Sequence, residues 1–200
     1  MARAGLTADR VTEAAADLAD AVGFENVTIS ALARSFGVAD ASLYSHVKNV
    51  QDLRNRVALR AAGELADRVT SAIAGRSGKD ALAAFAGAYR EFALAHPGRY
   101  AATQVRLDPA VVAESAATLR GNETTSSLLR AYGLAEPDLT DAVRLLRSTF
   151  HGFTSIEAAG GFAHPRDLQA SWDKIIVALD GTLRHWPASN VRADRDPAGS

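Results

Sequence analysis

The first 96 residues contain no proline, and within them the one run of three β-branched residues is Val27-Thr28-Ile29. Proline removes a backbone donor and clashes with the preceding turn, and β-branched clusters favour strands, so this half of the chain can run as helix with little to break it. Thr7 is placed to cap a first helix in which Val11, Ala14, Ala15, Leu18, Ala21 and Val22 recur at helical spacing, and Gly23 ends it. Arg10 at the third helical position leaves that cap without a reciprocal partner. Thr28 opens a short helix that buries Ile29, Leu32, Ala33 and Phe36; Gly37 supplies a left-handed turn, and a third helix is predicted from about Ala39 to His46. From Asn49 a long helix reaches about Ala74, with Val50, Leu53, Val57, Leu65, Val69 and Ile73 on its apolar side, until Gly75-Arg76-Ser77-Gly78 breaks it.

Beyond residue 96, Pro97, Pro109, Pro137 and Pro165 stand where a first-turn proline costs no intrahelical bond, and each predicts a helix start. The last two stretches, Pro137 to Gly160 and Arg166 to Arg184, carry broad apolar faces. Val143, Leu146, Phe150, Phe153 and Ile156 form one; Leu168, Trp172, Ile175, Ile176, Leu179 and Leu183 form the other. Such faces are satisfied by an identical pair in a two-fold four-helix bundle or by burial within one chain. Residues 188–200 are polar and unpatterned, the composition of a disordered tail. The fold class is all-α, with a three-helix head over residues 1–48 and a larger helical body over 49–187.

Composition narrows the function. There is no cysteine, which excludes disulfides, thiolate metal sites and cysteine nucleophiles. No apolar run approaches the roughly 20 residues of a membrane span, and Met1-Ala2-Arg3-Ala4-Gly5 does not lead into a secretory signal, so a soluble cytoplasmic protein is expected. An all-α enzyme is the main rival reading. Against it, no Glu-x-x-His or His-x-x-x-His spacing, no glycine-rich phosphate loop and no Gly-x-Ser-x-Gly elbow occurs, so neither a cofactor nor a metal is expected. The net charge of −1 is no signature of a nucleic-acid binder, but its distribution is uneven. Between Asn26 and Arg60 stand Arg34, Lys48, Arg54, Arg56 and Arg60 against Asp40 and Asp52.

That interval holds the most specific pattern. A short helix, a glycine turn and a second short helix make a helix-turn-helix in which Ala33 permits a close crossing and Val38, Leu43 and Val47 hold the second helix down. The opposite face offers Ala39, Asp40, Ser42, Tyr44 and Ser45 to a major groove. There is no arginine among them, so guanine reading by a bidentate guanidinium is absent, and hydroxyls, methyl contacts, water or DNA shape must supply specificity. A helix-turn-helix kept as a protein-binding module, or a plain three-helix core with Tyr44 as a packing residue, would share much of this pattern.

Residues 37–49, Gly-Val-Ala-Asp-Ala-Ser-Leu-Tyr-Ser-His-Val-Lys-Asn, resemble the pattern of TetR-family regulators, Gly-Val-x-x-x-x-Leu-Tyr-x-His-Val/Phe followed by a short loop into a long helix. The resemblance implies that Tyr44 contacts backbone phosphate, that His46 orients the recognition helix or touches a phosphate, that Lys48 approaches the backbone, and that the capping Thr28 also meets a phosphate. Two positions depart from the pattern: Val50 stands where members often carry lysine, and Ser30 where they often carry arginine. Affinity then leans on Lys48, with Arg3 and Arg10 reaching toward a groove.

Tyr89 to Tyr100, containing His96-Pro97-Gly98-Arg99-Tyr100, is similar to the His-Pro-x-x-Tyr junction of one TetR C-terminal subclass, and Phe150-His151-Gly152 is similar to its Trp-His-Gly signature with Phe150 in place of Trp. The resemblance implies a homodimer formed by the last two helices, double-stranded operator DNA as partner, and an effector cavity among the middle helices. Its candidate lining is Phe85, Tyr89, Phe92, Tyr100, Gln104, Leu107, His151 and Phe153, apolar walls with a few polar groups suited to a small hydrophobic ligand. Aromatic residues at this spacing serve equally as core. The expected function is a palindrome-binding repressor released by that ligand through a population shift carried by the long fourth helix, with two recognition helices roughly 34 Å apart.

Overall fold

In the computed structural model, which describes residues 6–107, 112 and 115–187, the first three α-helices begin where capping side chains stand. Helix α1 (Ala8–Val22) opens at Thr7, whose hydroxyl accepts the Arg10 N–H at 3.2 Å, and closes at Gly23 with φ 90°. Helix α2 (Ile29–Phe36) opens at Thr28, which accepts the Ala31 N–H at 3.1 Å. Helix α3 (Val50–Ile73) opens at Asn49, which accepts the Asp52 N–H at 2.9 Å, while Asp52 accepts the Lys48 N–H at 2.9 Å. Helices α4 (Gly78–Ala95), α5 (Pro97–Ala102), α6 (Ala116–Arg130), α7 (Asp138–Ala158) and α8 (Leu168–Arg184) follow, and the described residues contain no strand. The chain is all-α.

Two proline expectations are corrected. Pro97 is the first residue of α5, as its free first-turn position requires, but Pro137 stands just before α7. Pro165 precedes a different start signal. The Asp167 carboxylate accepts the Gln169 and Ala170 N–H groups at 3.2 and 3.0 Å, and this cap sets α8 to begin at Leu168 instead of Arg166. Arg3, Pro109 and the tail 188–200 lie outside the described residues.

Side chains sort into two cores. Val11, Ala15, Leu32, Leu43 and Val47 of the head close around Leu53, Val57 and Ala61, so the head's core runs past residue 48 into the first half of α3. The body core gathers Val69 of α3 with Phe85, Phe92, Leu129, Phe150, Trp172 and Leu183. Short α5 contributes to both, with Ala102 in the head core and Tyr100 in the body core. Most of the apolar faces of α7 and α8 are consumed inside the chain. Leu146, Phe150 and Phe153, and on α8 Trp172, Ile176, Leu179 and Leu183, are buried, whereas Ile156 and Val177 remain 45% and 48% exposed. No helix of the described residues is long and apolar enough to cross a membrane.

Candidate nucleic-acid interface and ligand cavity

The turn of the head is built by backbone geometry. Gly37 adopts φ 65°, and its N–H and that of Val38 reach back to Arg34 and Ala33 carbonyls at 3.1 and 3.0 Å, which ends α2 in a Schellman closure. The expected helix from Ala39 to His46 is not an α-helix. Asp40–Ser42 form a 3-10 turn, and tight turns continue to His46. Local polar side chains contribute: Ser45 Oγ donates to the Ser42 carbonyl at 2.9 Å, offering the backbone an alternative to helical pairing, and Ser30 Oγ ties the Asp40 carboxylate to α2. Buried Leu43 and Val47 nevertheless pin the segment to the head.

This placement turns Thr28, Ala39, Asp40, Ser42, Tyr44, Ser45 and Lys48 outward, with His46 half-buried at the end of the turn. Tyr44 is 55% exposed, too open for a packing residue of the core. Asp40 is the least free of them, because Ser30 holds its carboxylate against α2. Arg10 lies with its guanidinium 5.9 Å from the Phe36 ring.

Local basic charge is smaller than the sequence suggests. Arg54 donates to the Glu25 carbonyl at 2.7 Å, Arg56 pairs with Asp52 at 3.1 Å, and Arg60 pairs with Glu64 at 2.9 Å. Of the five cations between Asn26 and Arg60, Arg56 and Arg60 pair with carboxylates and Arg54 and Arg34 donate to backbone carbonyls, Arg34 to that of Ser30 at 3.3 Å, which leaves the Lys48 ammonium without an ion pair among the described residues. Burial would raise the Asp52 carboxyl, but the Lys48 N–H and the Arg56 guanidinium outweigh it and hold it below the usual range.

Behind the head, a cavity of about 430 Å³ lies between α3, α4, α6 and α7 and the stretch after α5. Of the expected lining, Phe85, Tyr89, Gln104 and Leu107 border it. Phe92, Tyr100, His151 and Phe153 do not. Phe92 is fully buried against His96 and under Arg68, and Phe153 stacks on Trp172 at 4.9 Å. Tyr100 and His151 stand one and two hydrogen bonds behind the wall: Tyr89 and Tyr100 hydroxyls are 2.8 Å apart, and Tyr100 reaches His151 Nδ1 at 2.7 Å. Burial, then the hydrogen bond with Tyr100, pushes the Tyr89 phenol far above its ordinary range and keeps it neutral.

Sequence reasoning missed the rest of the wall, notably Leu65 of α3, Asn122 and Thr125 of α6, and Arg147 of α7. A signal was present. Ala58, Ala62 and Ala66 recur every fourth residue on α3, a stripe of small side chains that leaves space where larger residues would fill it.

Also unforeseen is the joint between head and body. A Cβ at Gly98 would stand 1.9 Å from the Ala19 carbonyl oxygen, so α5 lies directly on the backbone of α1. Buried Arg99 beside it pairs with Asp20, with Asp17 at 2.6 Å and with Glu64 at 3.1 Å, and His96 Nδ1 meets Asp20 at 3.1 Å. Burial opposes the Arg99 charge, yet these carboxylates raise its pKa and keep it a cation. Farther along the same segment, Ala102, Thr103 and Gln104 border the cavity.

Comparison with known proteins agrees with this architecture. Residues 11–57 match the family described as bacterial regulatory proteins, tetR family, and residues 82–179 match the tetracyclin repressor-like C-terminal domain. The HTH-type transcriptional regulator YobS of Bacillus subtilis is 31% identical over 185 residues, covering 90% of this chain and 95% of its own. An HTH-type regulator of Mycobacterium tuberculosis is 35% identical over 158 residues, covering 78% and 72%. A TetR variant of Acinetobacter baumannii, solved in complex with minocycline, shares the fold with a TM-score of 0.68 and 21% identity over 92% of this chain and 100% of its own.

Proposed function

The chain belongs to the TetR family and is a DNA-binding transcriptional regulator, not an enzyme, and from that premise we propose that it acts as a cytoplasmic repressor released from its operator by a small hydrophobic effector. Two copies joined through α7 and α8, where Ile156 and Val177 remain exposed, hold the two heads on a palindrome. Tyr44, Lys48 and Thr28 position each head on phosphates, His46 steadies the turn, and Ala39, Asp40, Ser42 and Ser45 face the bases. Phe85, Tyr89, Gln104 and Leu107 meet the effector directly; Tyr100 and His151 act through Tyr89, and Phe92 and Phe153 only shape the body core.

The observation that carries this reading is the double membership of α5 and α3. The α5 segment touches the α1 backbone through Gly98 and the cavity through Thr103 and Gln104. Helix α3, 24 residues and about 36 Å long at ~1.5 Å per residue, has its first half in the head core and Leu65 and Val69 in the cavity wall. An occupant that moves either wall moves the head, and recognition segments out of register with successive grooves lose the operator. As the minocycline-bound relative has the same fold, its complex also supports a small-molecule effector here.

Fluorescence anisotropy on DNA from upstream of the chain's own coding sequence tests the proposal. Tight, palindrome-dependent binding whose log affinity falls steeply with log salt, and which a cavity ligand reverses, is expected. Flat, sequence-independent binding at moderate salt overturns it.

A further inference from the structure

The cavity's charge pattern speaks to the chemistry of its occupant, an inference that rests on the effector-binding reading above. Among the described residues that line it, Arg147 is the one ionised group. Its guanidinium has no carboxylate within ion-pair distance among the described residues; its hydrogen bond is a long one, 3.4 Å from Nη2 to the Gln104 side-chain oxygen. The neighbouring Arg144, by contrast, pairs with Asp141 at 3.2 Å. Arg147 lies one turn of α7 from Val143 on one side and from His151 on the other, so the cation stands where the apolar wall meets the Tyr89-Tyr100-His151 chain.

The remainder of the described wall is uncharged. Leu65, Val69, Phe85 and Leu146 give an apolar body, Gln104 and Tyr89 lie beside Arg147, and Thr103, Asn122 and Thr125 add neutral polar groups. The Tyr89 phenol is neutral, so among the described residues no negative group competes for the guanidinium there. A cationic ligand would meet Arg147 with no carboxylate among the described lining residues to offset it, and a neutral apolar one would leave the guanidinium unused. A carboxylate fits the planar fork of an arginine with two parallel charge-assisted hydrogen bonds.

We propose that the cavity takes an amphipathic carboxylic acid, bound as its carboxylate on Arg147 with the apolar body against Leu65, Val69 and Phe85. A volume of about 430 Å³ accommodates a medium-length acyl chain or a body of comparable bulk.

Calorimetry on the full-length protein, with octanoate and dodecanoate beside the alcohols and alkylammonium ions of the same chain lengths, tests this below micellar concentrations. At least one carboxylate is expected to bind about tenfold or more tightly than its alcohol and to exceed its ammonium further. R147Q should erase the preference, with the alcohol as internal reference, and R147K, which keeps the charge but loses the fork, should retain part of it. Failure of both carboxylates to bind, equal binding of alcohol or ammonium, or a preference that survives R147Q each overturns the proposal. Operator binding measured separately keeps the two readings apart. A protein that holds its operator but ignores carboxylates refutes the ligand class alone, and one that binds the carboxylate without releasing DNA refutes the release mechanism alone.

Discussion

Gly98 and Ala19 touch backbone to backbone: a Cβ on Gly98 would lie 1.9 Å from the Ala19 carbonyl oxygen and 2.5 Å from the Asp20 nitrogen. Neither atom is the free end of a side chain, so α1 and α5 must separate to admit even a methyl group. Gly98→Ala should therefore destabilise the protein by about 1–3 kcal/mol, the usual range for overpacking, read as a lower urea midpoint. It should also loosen the tie between cavity and head, so that a ligand still bound in the cavity releases operator DNA less completely. Unchanged stability would show that the two helices part without cost.

Arg99 fastens the same joint by charge. With its side chain 10% exposed and that of Asp20 16% exposed, removal of the guanidinium strands a largely buried carboxylate. Arg99→Met is expected to cost about 3 kcal/mol, the low end for breaking a buried pair, because Asp20 keeps the Arg99 N–H at 2.8 Å and His96. Arg99→Lys keeps the charge but cannot serve Asp17, Asp20 and Glu64 together, so it should lose part of that stability. Chemical denaturation of the three proteins at one pH separates these outcomes.

The joint is invisible in the sequence, although its residues lie inside a legible motif. His96, Pro97 and Tyr100 mark a helix junction, but nothing local in the sequence pairs Arg99 with Asp17 and Asp20, some 80 residues away. Caps and glycine turns are legible because Thr7, Thr28, Asn49 and Gly37 act on neighbours within a few residues. The recognition segment is less so: its spacing suits a helix, yet the Ser45 hydroxyl takes the Ser42 carbonyl, a local bond that competes with helical pairing. Four of the eight expected lining residues border the cavity: Phe85 and Tyr89, one turn apart on α4, and Gln104 and Leu107 after α5, whereas the aromatic residues expected from α7 do not. Which of them borders space and which fills the core depends on the alanine stripe of α3 across from them.

Phe92 illustrates that distinction. Fully buried between the His96 ring at 5.3 Å and the Arg68 guanidinium, it contributes packing and borders no part of the cavity. Phe92→Ala should cost about 3–5 kcal/mol of stability while leaving the size of a ligand-induced rise in Tm nearly unchanged. Phe85→Ala, which opens the cavity wall itself, should alter that rise. Thermal melts with and without ligand compare the two.

The side chains of Lys48 and Tyr44 are exposed and support little of the fold, which makes them clean probes of DNA binding. Lys48→Ala should leave stability within about 0.5 kcal/mol of wild type and lower the slope of log affinity against log salt by ~0.9 for each phosphate that the lysine neutralises. Tyr44→Phe should weaken binding with no change in slope, since it removes a hydroxyl and no charge. If both variants bind normally at every salt concentration, neither residue touches the backbone.

Asp52 ties the loop carrying Lys48 to α3, accepting the Lys48 N–H at 2.9 Å and the Arg56 guanidinium at 3.1 Å. Its folded carboxyl titrates below the ordinary carboxylate range of about 3.9, because those partners outweigh burial. A carboxyl lowered on folding adds stability that is fully present above its unfolded pKa and is lost as pH falls through the lower folded value. Asp52→Asn should accordingly be less stable than wild type at neutral pH, and the two stability curves should converge as pH drops below about 4. The convergence is specific to the charge, since a lost cap of purely geometric origin would persist at low pH. Urea denaturation of both proteins across that window measures the gap, and a difference that stays constant into acid would locate the role of Asp52 in shape alone.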